Sequence, residues 1–209
     1  MKLAIFGSTG RTGIELVNQA LAAGHLVTAV VRDRARFTLK HDRLTVTVAN
    51  LQQTDLIEHA LADHDAALSA VGVPQSREAT HVQEDAARVI VDAMAKTGVM
   101  RFMAVTSGGT NPNHDPNLPF IFENVFKRIY ASIYQDQMRM EKVIMASNVN
   151  WTIVRPAALT DDPLSKRYRF AEGFALPGGR QTARADVAHF MINHLQDTAV
   201  FKRGIAIAT

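Results

Sequence analysis

Short apolar runs alternate along this chain with longer segments in which apolar residues recur at helical spacing. Residues 3–6 and 26–31 are such runs, and the second is rich in β-branched residues, as a strand buried on both faces requires. Between them, Ile14, Val17 and Leu21 lie on one face of a predicted helix. This alternation is typical of a parallel sheet that is covered by helices on both faces.

The same pattern continues along the sequence and predicts the remaining elements. The further strands are residues 44–48, 66–71, 102–106, 151–154 and 205–208, the last at the edge of the sheet. The further helices are residues 54–61, 81–96, 120–146 with one break, and 187–195, which Asp186 is expected to cap. We predict one Rossmann domain over residues 1–209. It is an α/β fold with a doubly wound, mostly parallel sheet, a central first strand and a small C-terminal region on the substrate side.

Composition narrows the chemistry that is possible. The 47% of hydrophobic and 21% of charged residues are ordinary globular values, and the absence of cysteine excludes disulfides, thiolate nucleophiles and thiolate metal sites. The net charge of +3 comes without a long basic run, so no nucleic-acid partner is predicted. No histidine pair has a spacing that suits metal ligands on one helix face, so no metal site is predicted. The sequence contains neither a membrane span nor a signal-peptide pattern, and we expect a cytoplasmic protein.

The first predicted strand ends in a turn with a glycine at every third position. Gly7, Gly10 and Gly13 directly follow the strand and open the first helix, within the first βαβ unit. Glycine is needed there because a side chain would block both the tight turn and the close approach of the backbone to a pyrophosphate at the helix N-terminus. The turn predicts a dinucleotide site that comprises the three glycines with Thr9, Arg11 and Thr12.

This Gly-x-x-Gly-x-x-Gly spacing resembles the fingerprint of the atypical and extended short-chain dehydrogenase/reductase families. Residues 4–13, Ala-Ile-Phe-Gly-Ser-Thr-Gly-Arg-Thr-Gly, and residues 30–36, Val-Val-Arg-Asp-Arg-Ala-Arg, are similar to biliverdin-IXβ reductase/flavin reductase and its bacterial NAD(P)H-binding relatives. The resemblance implies a Rossmann fold and a nicotinamide cofactor. It also assigns to the cofactor site several residues that follow later strands, namely Asn50, Leu51, Gly72, Ser107 and Pro156.

The residues after the second predicted strand lie where the adenosine ribose is recognised. Arg32 offers a planar fork that matches a 2′-phosphate, and Arg36 aligns with a second arginine of the flavin reductase pattern. NADPH is therefore favoured over NADH as the cofactor. Two alternatives stay open: Asp33 could bind the ribose hydroxyls itself, or the arginines could form a solvated basic loop.

The sequence lacks the tyrosine acid and the lysine four residues later that most short-chain dehydrogenases use. The tyrosines are Tyr130, Tyr134 and Tyr168, and none is followed by lysine at that spacing. Alcohol oxidation becomes less favoured, whereas flavin or bilin reduction remains possible, because a conjugated acceptor stabilises the charge left by the hydride. By resemblance, Ser107 is the candidate catalytic residue and would bond to nicotinamide or substrate; alternatively it bonds its own backbone, as loop serines often do.

Two functions from different classes are compatible with these residues. The first is an NADPH-dependent reductase, expected to be monomeric, that transfers a hydride to a flavin or similar small-molecule acceptor. The second is a catalytically idle sensor, similar to NmrA-like regulators, that binds NAD(P) and acts through a protein partner. Where the flavin reductase pattern carries histidines near the pocket, this chain has Gln137 and Ala158, which weakens the case for a bilin substrate.

Overall fold

Eight strands form the central sheet of the computed structural model, which describes residues 1–73, 79–111, 115–118, 125 and 127–209. The strands are β1 (Lys2–Phe6), β2 (Leu26–Val31), β3 (Leu44–Val48), β4 (Ala66–Ser69), β5 (Arg101–Val105), β6 (Asn150–Pro156), β7 (Ala158–Thr160), β8 (Arg169–Glu172), β9 (Gln181–Ala183) and β10 (Arg203–Ala208). The helices are α1 (Arg11–Ala22), α2 (Thr54–Leu61), α3 (Val82–Thr97), the single turn α4 (Lys127–Ile129), α5 (Ala131–Met145) and α6 (Arg184–Asn193).

The strands of the main sheet run in the order β3-β2-β1-β4-β5-β6-β10-β8. All neighbours pair in parallel except β8, which pairs with β10 in the antiparallel direction. β1 lies in the interior between β2 and β4, so the predicted doubly wound α/β sheet and the placement of its first strand are confirmed. Its carboxyl edge gathers the loops where ligands bind in such sheets.

Residues of β1 alternate between two hydrophobic layers. Leu3 and Ile5 pack in the layer under α1 and α6, whereas Ala4 and Phe6 pack in the layer under α2, α3 and α5. Successive side chains of a strand point to opposite faces, so a strand covered on both sides must be apolar throughout. This is the reason that the first apolar run of the sequence has no polar positions.

The C-terminal edge of the sheet differs from the prediction. The strand expected at the edge is β10, and it lies one position inside, because β8 pairs along its outer side. All four residues of β8 are exposed, and it therefore lacks the apolar run by which a buried strand is recognised. The hydrophobic pattern of the sequence also did not predict β7 and β9, which pair in a separate two-stranded sheet.

The last helix begins earlier than predicted, and Asp186 does not cap it. α6 starts at Arg184, and Asp186 lies buried in its first turn. The Asp186 carboxylate accepts hydrogen bonds from the backbone N–H groups of Ser165 and Lys166 and from the Ser165 hydroxyl. The residue therefore holds the segment after β7 against α6.

The long helix predicted over residues 120–146 with one break is interrupted at Tyr130, between α4 and α5. Most of its predicted first part, residues 120–124 and 126, lies outside the described residues. None of the helices in the described ranges combines the length and the apolar character needed to cross a membrane.

Candidate functional site

The glycine turn after β1 touches the end of β4. Gly7 has a φ of +76°, a conformation that side-chain-bearing residues rarely adopt, and a Cβ atom there would lie 2.6 Å from the carbonyl carbon of Ala70. A Cβ atom on Gly13 would lie 2.1 Å from the carbonyl oxygen of Gly7, within the same turn. The two glycines thus let β1, α1 and β4 meet without a side chain between them.

The turn directs the N-terminus of α1 toward the carboxyl edge of the sheet. The Gly10 N–H donates to the Gly7 carbonyl at 2.9 Å, and the buried Ser8 hydroxyl donates to the Ile5 carbonyl at 2.6 Å. The first N–H groups of a helix have no partner within it, and they coincide with the positive end of its dipole. Thr9 and Thr12 are half-buried beside these groups. This cradle fits the pyrophosphate of a dinucleotide.

The end of β2 presents two unengaged guanidinium groups. Asp33 accepts a hydrogen bond from the Ala35 N–H at 2.9 Å and caps the short turn Arg34–Arg36. The Arg34 guanidinium folds back onto the Phe37 carbonyl. Within the described residues, Arg32 and Arg36 are exposed and form no ion pair, so they are the charged groups available to an anionic ligand there, while the Asp33 carboxylate is already engaged.

Other predicted cofactor residues lie at the same edge of the sheet and differ in how far contacts within the protein engage them. Asn50 is engaged in its own turn, where its side-chain oxygen accepts from the Gln52 N–H at 2.9 Å, and Leu51 packs against the hydrophobic layer of α2 and α3. Gly72 follows the loop that touches Gly7 and has open space around it. Pro156 ends β6. These positions do not test the predicted contacts of the four residues with a cofactor, which stay predictions.

Arg11, also assigned to the cofactor turn, is engaged in an exposed ion-pair bridge. Its guanidinium contacts Asp161 at 2.5 Å, and the other oxygen of that carboxylate contacts Arg184 at 2.6 Å. The bridge joins the first residue of α1, the segment after β7 and the first residue of α6. An anion bound at the N-terminus of α1 would compete with Asp161 for the Arg11 guanidinium.

Ser107, just past β5, bonds neither to its own backbone nor to an ionisable group. Its hydroxyl donates to the side-chain oxygen of Gln137 on α5, with an O···O distance of 2.5 Å. The alternative that Ser107 bonds its own backbone is therefore not what the structure has. Because a Cβ atom on Gly108 would lie 3.4 Å from the Pro156 carbonyl oxygen, this loop also contacts the end of β6.

A buried ion pair lies one turn of α5 beyond Gln137. The Glu141 carboxylate, 2% exposed, contacts the Arg155 guanidinium through both oxygens, at 3.1 and 2.6 Å. The hydroxyls of Thr106 and Thr110 donate to the same carboxylate at 2.8 and 2.6 Å. Because these threonines flank Ser107, the cluster fixes α5 against the end of β5. Sequence reasoning missed it, although Arg155 at the end of an apolar strand was a signal.

Tyr168 lies on the other face of the sheet. Tyr168 packs against the layer of α1 and α6, and its hydroxyl lies 2.7 Å from Nδ1 of His189. Burial, with the nearby Asp186 carboxylate, raises the pKa of Tyr168 to about 12, and burial lowers the pKa of His189. Tyr130 and Tyr134 are half-exposed at the beginning of α5. Ser107 makes its side-chain contact with Gln137 and with none of these tyrosines.

A parallel sheet whose first strand enters a glycine turn at a helix N-terminus defines a dinucleotide-binding Rossmann protein. The chain matches the model of the NAD(P)H-binding family over residues 7–198, and it belongs to that family. An uncharacterized chloroplastic protein of Arabidopsis thaliana is 31% identical over 173 residues, which cover 78% of this chain and 60% of that protein. The chain thus spans less than two thirds of that relative's length.

Solved structures share the whole fold. A short-chain dehydrogenase/reductase of Veillonella parvula in complex with NADP has a TM-score of 0.83 at 23% identity, with 100% of this chain and 94% of that chain covered. ChuY, an anaerobillin reductase of Escherichia coli O157:H7, has a TM-score of 0.83 at 21% identity, with 100% and 97% covered. At these identities the likeness establishes the fold.

Proposed function

We propose that this protein is an NADPH-dependent reductase that transfers a hydride to a flavin or a similar conjugated acceptor. The observation that carries the proposal is the hydrogen bond between Ser107 and Gln137 of α5. The side chain that contacts Ser107 is therefore a neutral amide and not a tyrosine. Neither side chain is an acid that could protonate an alkoxide. A conjugated acceptor does not need one, because it delocalises the charge that the hydride leaves.

The proposed preference for NADPH depends on the end of β2. Arg32 is exposed there without an ion pair among the described residues, and its guanidinium can make charge-assisted bonds to a 2′-phosphate. The competing group, the Asp33 carboxylate, caps the turn Arg34–Arg36. A carboxylate engaged with a backbone N–H is less available to ribose hydroxyls. The arrangement therefore favours the phosphorylated cofactor.

The residues of this chain would act mainly by binding and orienting. The N-terminus of α1 would hold the pyrophosphate, and Ser107 and Gln137 would contact the reacting groups. When bound, the reduced nicotinamide supplies a hydride, which is two electrons with one hydrogen, and the acceptor takes its remaining proton from water. The shared fold with ChuY, named as an anaerobillin reductase, is consistent with a conjugated acceptor.

The test is turnover by the wild-type protein with a panel of flavins, quinones and bilins and with both nicotinamide cofactors. The absorbance of the reduced nicotinamide is followed, and cofactor affinity is measured separately by titration. We expect FMN-dependent oxidation of NADPH that is faster than that of NADH. Tight NADPH binding without turnover for any acceptor would overturn the proposal and favour the NmrA-like sensor, which should then be examined for a protein partner.

A further inference from the structure

The Ser107–Gln137 hydrogen bond determines which end of the Gln137 amide faces the serine. Hydrogen bonds between two oxygens have lengths of about 2.5–3.0 Å, whereas N–H···O bonds have about 2.7–3.2 Å. The Ser107 hydroxyl donates to Oε1 of Gln137 at 2.5 Å, a length within the range of bonds between two oxygens. The amide oxygen therefore accepts from Ser107, and the amide nitrogen points away from it.

The amide nitrogen of Gln137 is left with two N–H donors. In the part of the chain that the structure describes, the Gln137 side chain makes a single hydrogen bond, the one through its oxygen. The residue is half-buried, and its amide nitrogen keeps accessible surface, so a ligand can reach it. A fixed, partly buried donor without a protein acceptor is suited to a ligand acceptor atom.

The position of the Gln137 amide relative to Ser107 is also fixed by neighbouring contacts. Glu141, one turn later on α5, binds the hydroxyls of Thr106 and Thr110, which lie on either side of Ser107. The buried Arg155 guanidinium fixes the same carboxylate. Rotation of α5 that would move Gln137 away from Ser107 would therefore break this buried ion pair. The amide is preorganised before any ligand binds.

We infer that Gln137 is a specificity-determining residue whose amide N–H binds a carbonyl oxygen of the acceptor, and that the acceptor class is therefore a conjugated dione, a quinone or a flavin. The inference rests on the proposed function. A carbonyl oxygen that is conjugated to the reduced ring gains negative charge during hydride transfer, so a donor aimed at it binds the transition state more tightly than the ground state. Because the amide is neutral, its contribution does not depend on pH.

The experiment compares an acceptor that has carbonyl groups, 2-methyl-1,4-naphthoquinone, with methylene blue, which has none. Gln137→Met removes the donor, and Gln135→Met is the matched control, because Gln135 is exposed on the same helix. We expect kcat/KM for the naphthoquinone to fall about two- to twelvefold more than kcat/KM for methylene blue in Gln137→Met, the range of one neutral hydrogen bond. An equal loss for both acceptors would overturn the inference.

A second variant separates the lost donor from a packing defect. Gln137→Glu keeps the shape and replaces the two N–H donors by an oxygen. Its naphthoquinone reduction should be slow when the carboxylate is ionised and should recover as the pH falls and the protonated carboxyl becomes a donor. The wild type should lack this recovery. If Gln137→Glu reduces the naphthoquinone as fast as the wild type at every pH, no donor is required at this position.

A readout without turnover tests the contact itself. The carbonyl stretching frequency of the bound naphthoquinone is measured by infrared difference spectroscopy with oxidised cofactor present. A hydrogen bond from Gln137 should lower this frequency in the wild type and in Gln135→Met, and the frequency should rise in Gln137→Met. Equal frequencies in all three would overturn the inference. A lowered frequency without turnover for any acceptor would support the donor and overturn the reductase proposal.

Discussion

The cofactor side and the acceptor side of the candidate site are built in different ways. The cofactor side, the turn after β1 with the end of β2, depends on backbone positions that only glycine tolerates, such as Gly7 and Gly13. The acceptor side, the ends of β5 and β6 with α5, depends on side-chain contacts, chiefly Ser107–Gln137 and Glu141–Arg155. The glycine turn is formed by residues 7–13, which are close in sequence, whereas the acceptor side joins residues far apart in the sequence.

This difference indicates how each side tolerates change. No residue is smaller than glycine, so the glycine turn of the cofactor side should respond to substitution in an all-or-none manner. A side-chain cluster can be altered one contact at a time, so the acceptor side can change specificity while the cofactor site stays intact. The buried ion pair is the exception on the acceptor side, because breaking it strands a charge.

The largest effect is expected from Glu141→Ala on the acceptor side. The substitution leaves the Arg155 guanidinium buried without its partner, and removing one member of a buried ion pair costs about 3–5 kcal/mol. Thr106 loses the carboxylate acceptor as well, whereas the Thr110 hydroxyl can still donate to the Ser107 carbonyl at 2.8 Å. The free energy of unfolding, measured in urea, should fall by that amount.

The matched control for this prediction removes both charges. Glu141→Met combined with Arg155→Met should recover most of the loss, because an apolar pair of similar volume is often no less stable than a buried ion pair. If the double variant were as unstable as Glu141→Ala, the stranded charge would not be the cause of the loss. Packing of α5 against β5 and β6 would then be the better explanation.

The next largest effect is expected from Gly13→Ala on the cofactor side. The added Cβ atom would lie 2.1 Å from the Gly7 carbonyl oxygen, which is backbone and cannot rotate away. Overpacking typically costs about 1–3 kcal/mol, and a clash with backbone should lie at the upper end of this range. The displaced turn should lose cofactor binding altogether. Unfolding in urea and NADPH titration measure the two effects.

Gly24→Ala is the control for Gly13→Ala, since Gly24 ends the turn after α1 with open space around its Cβ position. Its φ of +87° makes alanine unfavourable, so some stability should be lost, but cofactor binding should persist. Retained NADPH affinity in Gly13→Ala would show that the turn adapts. The contrast between an intolerant cofactor side and a graded acceptor side would then be wrong.

The two sides also differ in how far the sequence reveals them. The glycine turn and the apolar strand before it are local patterns, so the sequence suffices to predict both and the interior position of β1. The Gln137 and Glu141 contacts depend on the rotation of α5 relative to β5, which residues distant in the chain decide. β8 could not be predicted from the sequence either, because its residues are exposed and need no apolar pattern. Only Arg155, a charge at the end of an apolar strand, indicated a buried partner.

A smaller effect, confined to cofactor choice, is expected from Arg32→Ala. Loss of one charge-assisted hydrogen bond to the 2′-phosphate, about 1.5–3 kcal/mol, should weaken NADPH binding about ten- to 150-fold and leave NADH almost unchanged. Arg34→Ala is the matched control, since its guanidinium is engaged with the Phe37 carbonyl. Equal losses for both cofactors in a titration would mean that Arg32 is structural, and a wild-type preference for NADH would return the ribose role to Asp33.

The smallest effect is expected from His189→Gln, and it concerns the pH dependence of stability on the side of α1 and α6. Burial, together with Lys166, lowers the pKa of His189 below its ordinary value of 6.5, and Asp186 acts in the opposite direction. Below that ordinary value the unfolded chain binds a proton that the folded chain resists, so this contribution to stability is present at higher pH and is lost as the pH falls. Unfolding free energies on either side of 6.5 should therefore decline less in the variant than in the wild type, with His25, whose pKa burial also lowers, carrying the remaining decline. If the decline is the same in both proteins, His189 does not contribute to it and the groups responsible for the decline lie elsewhere.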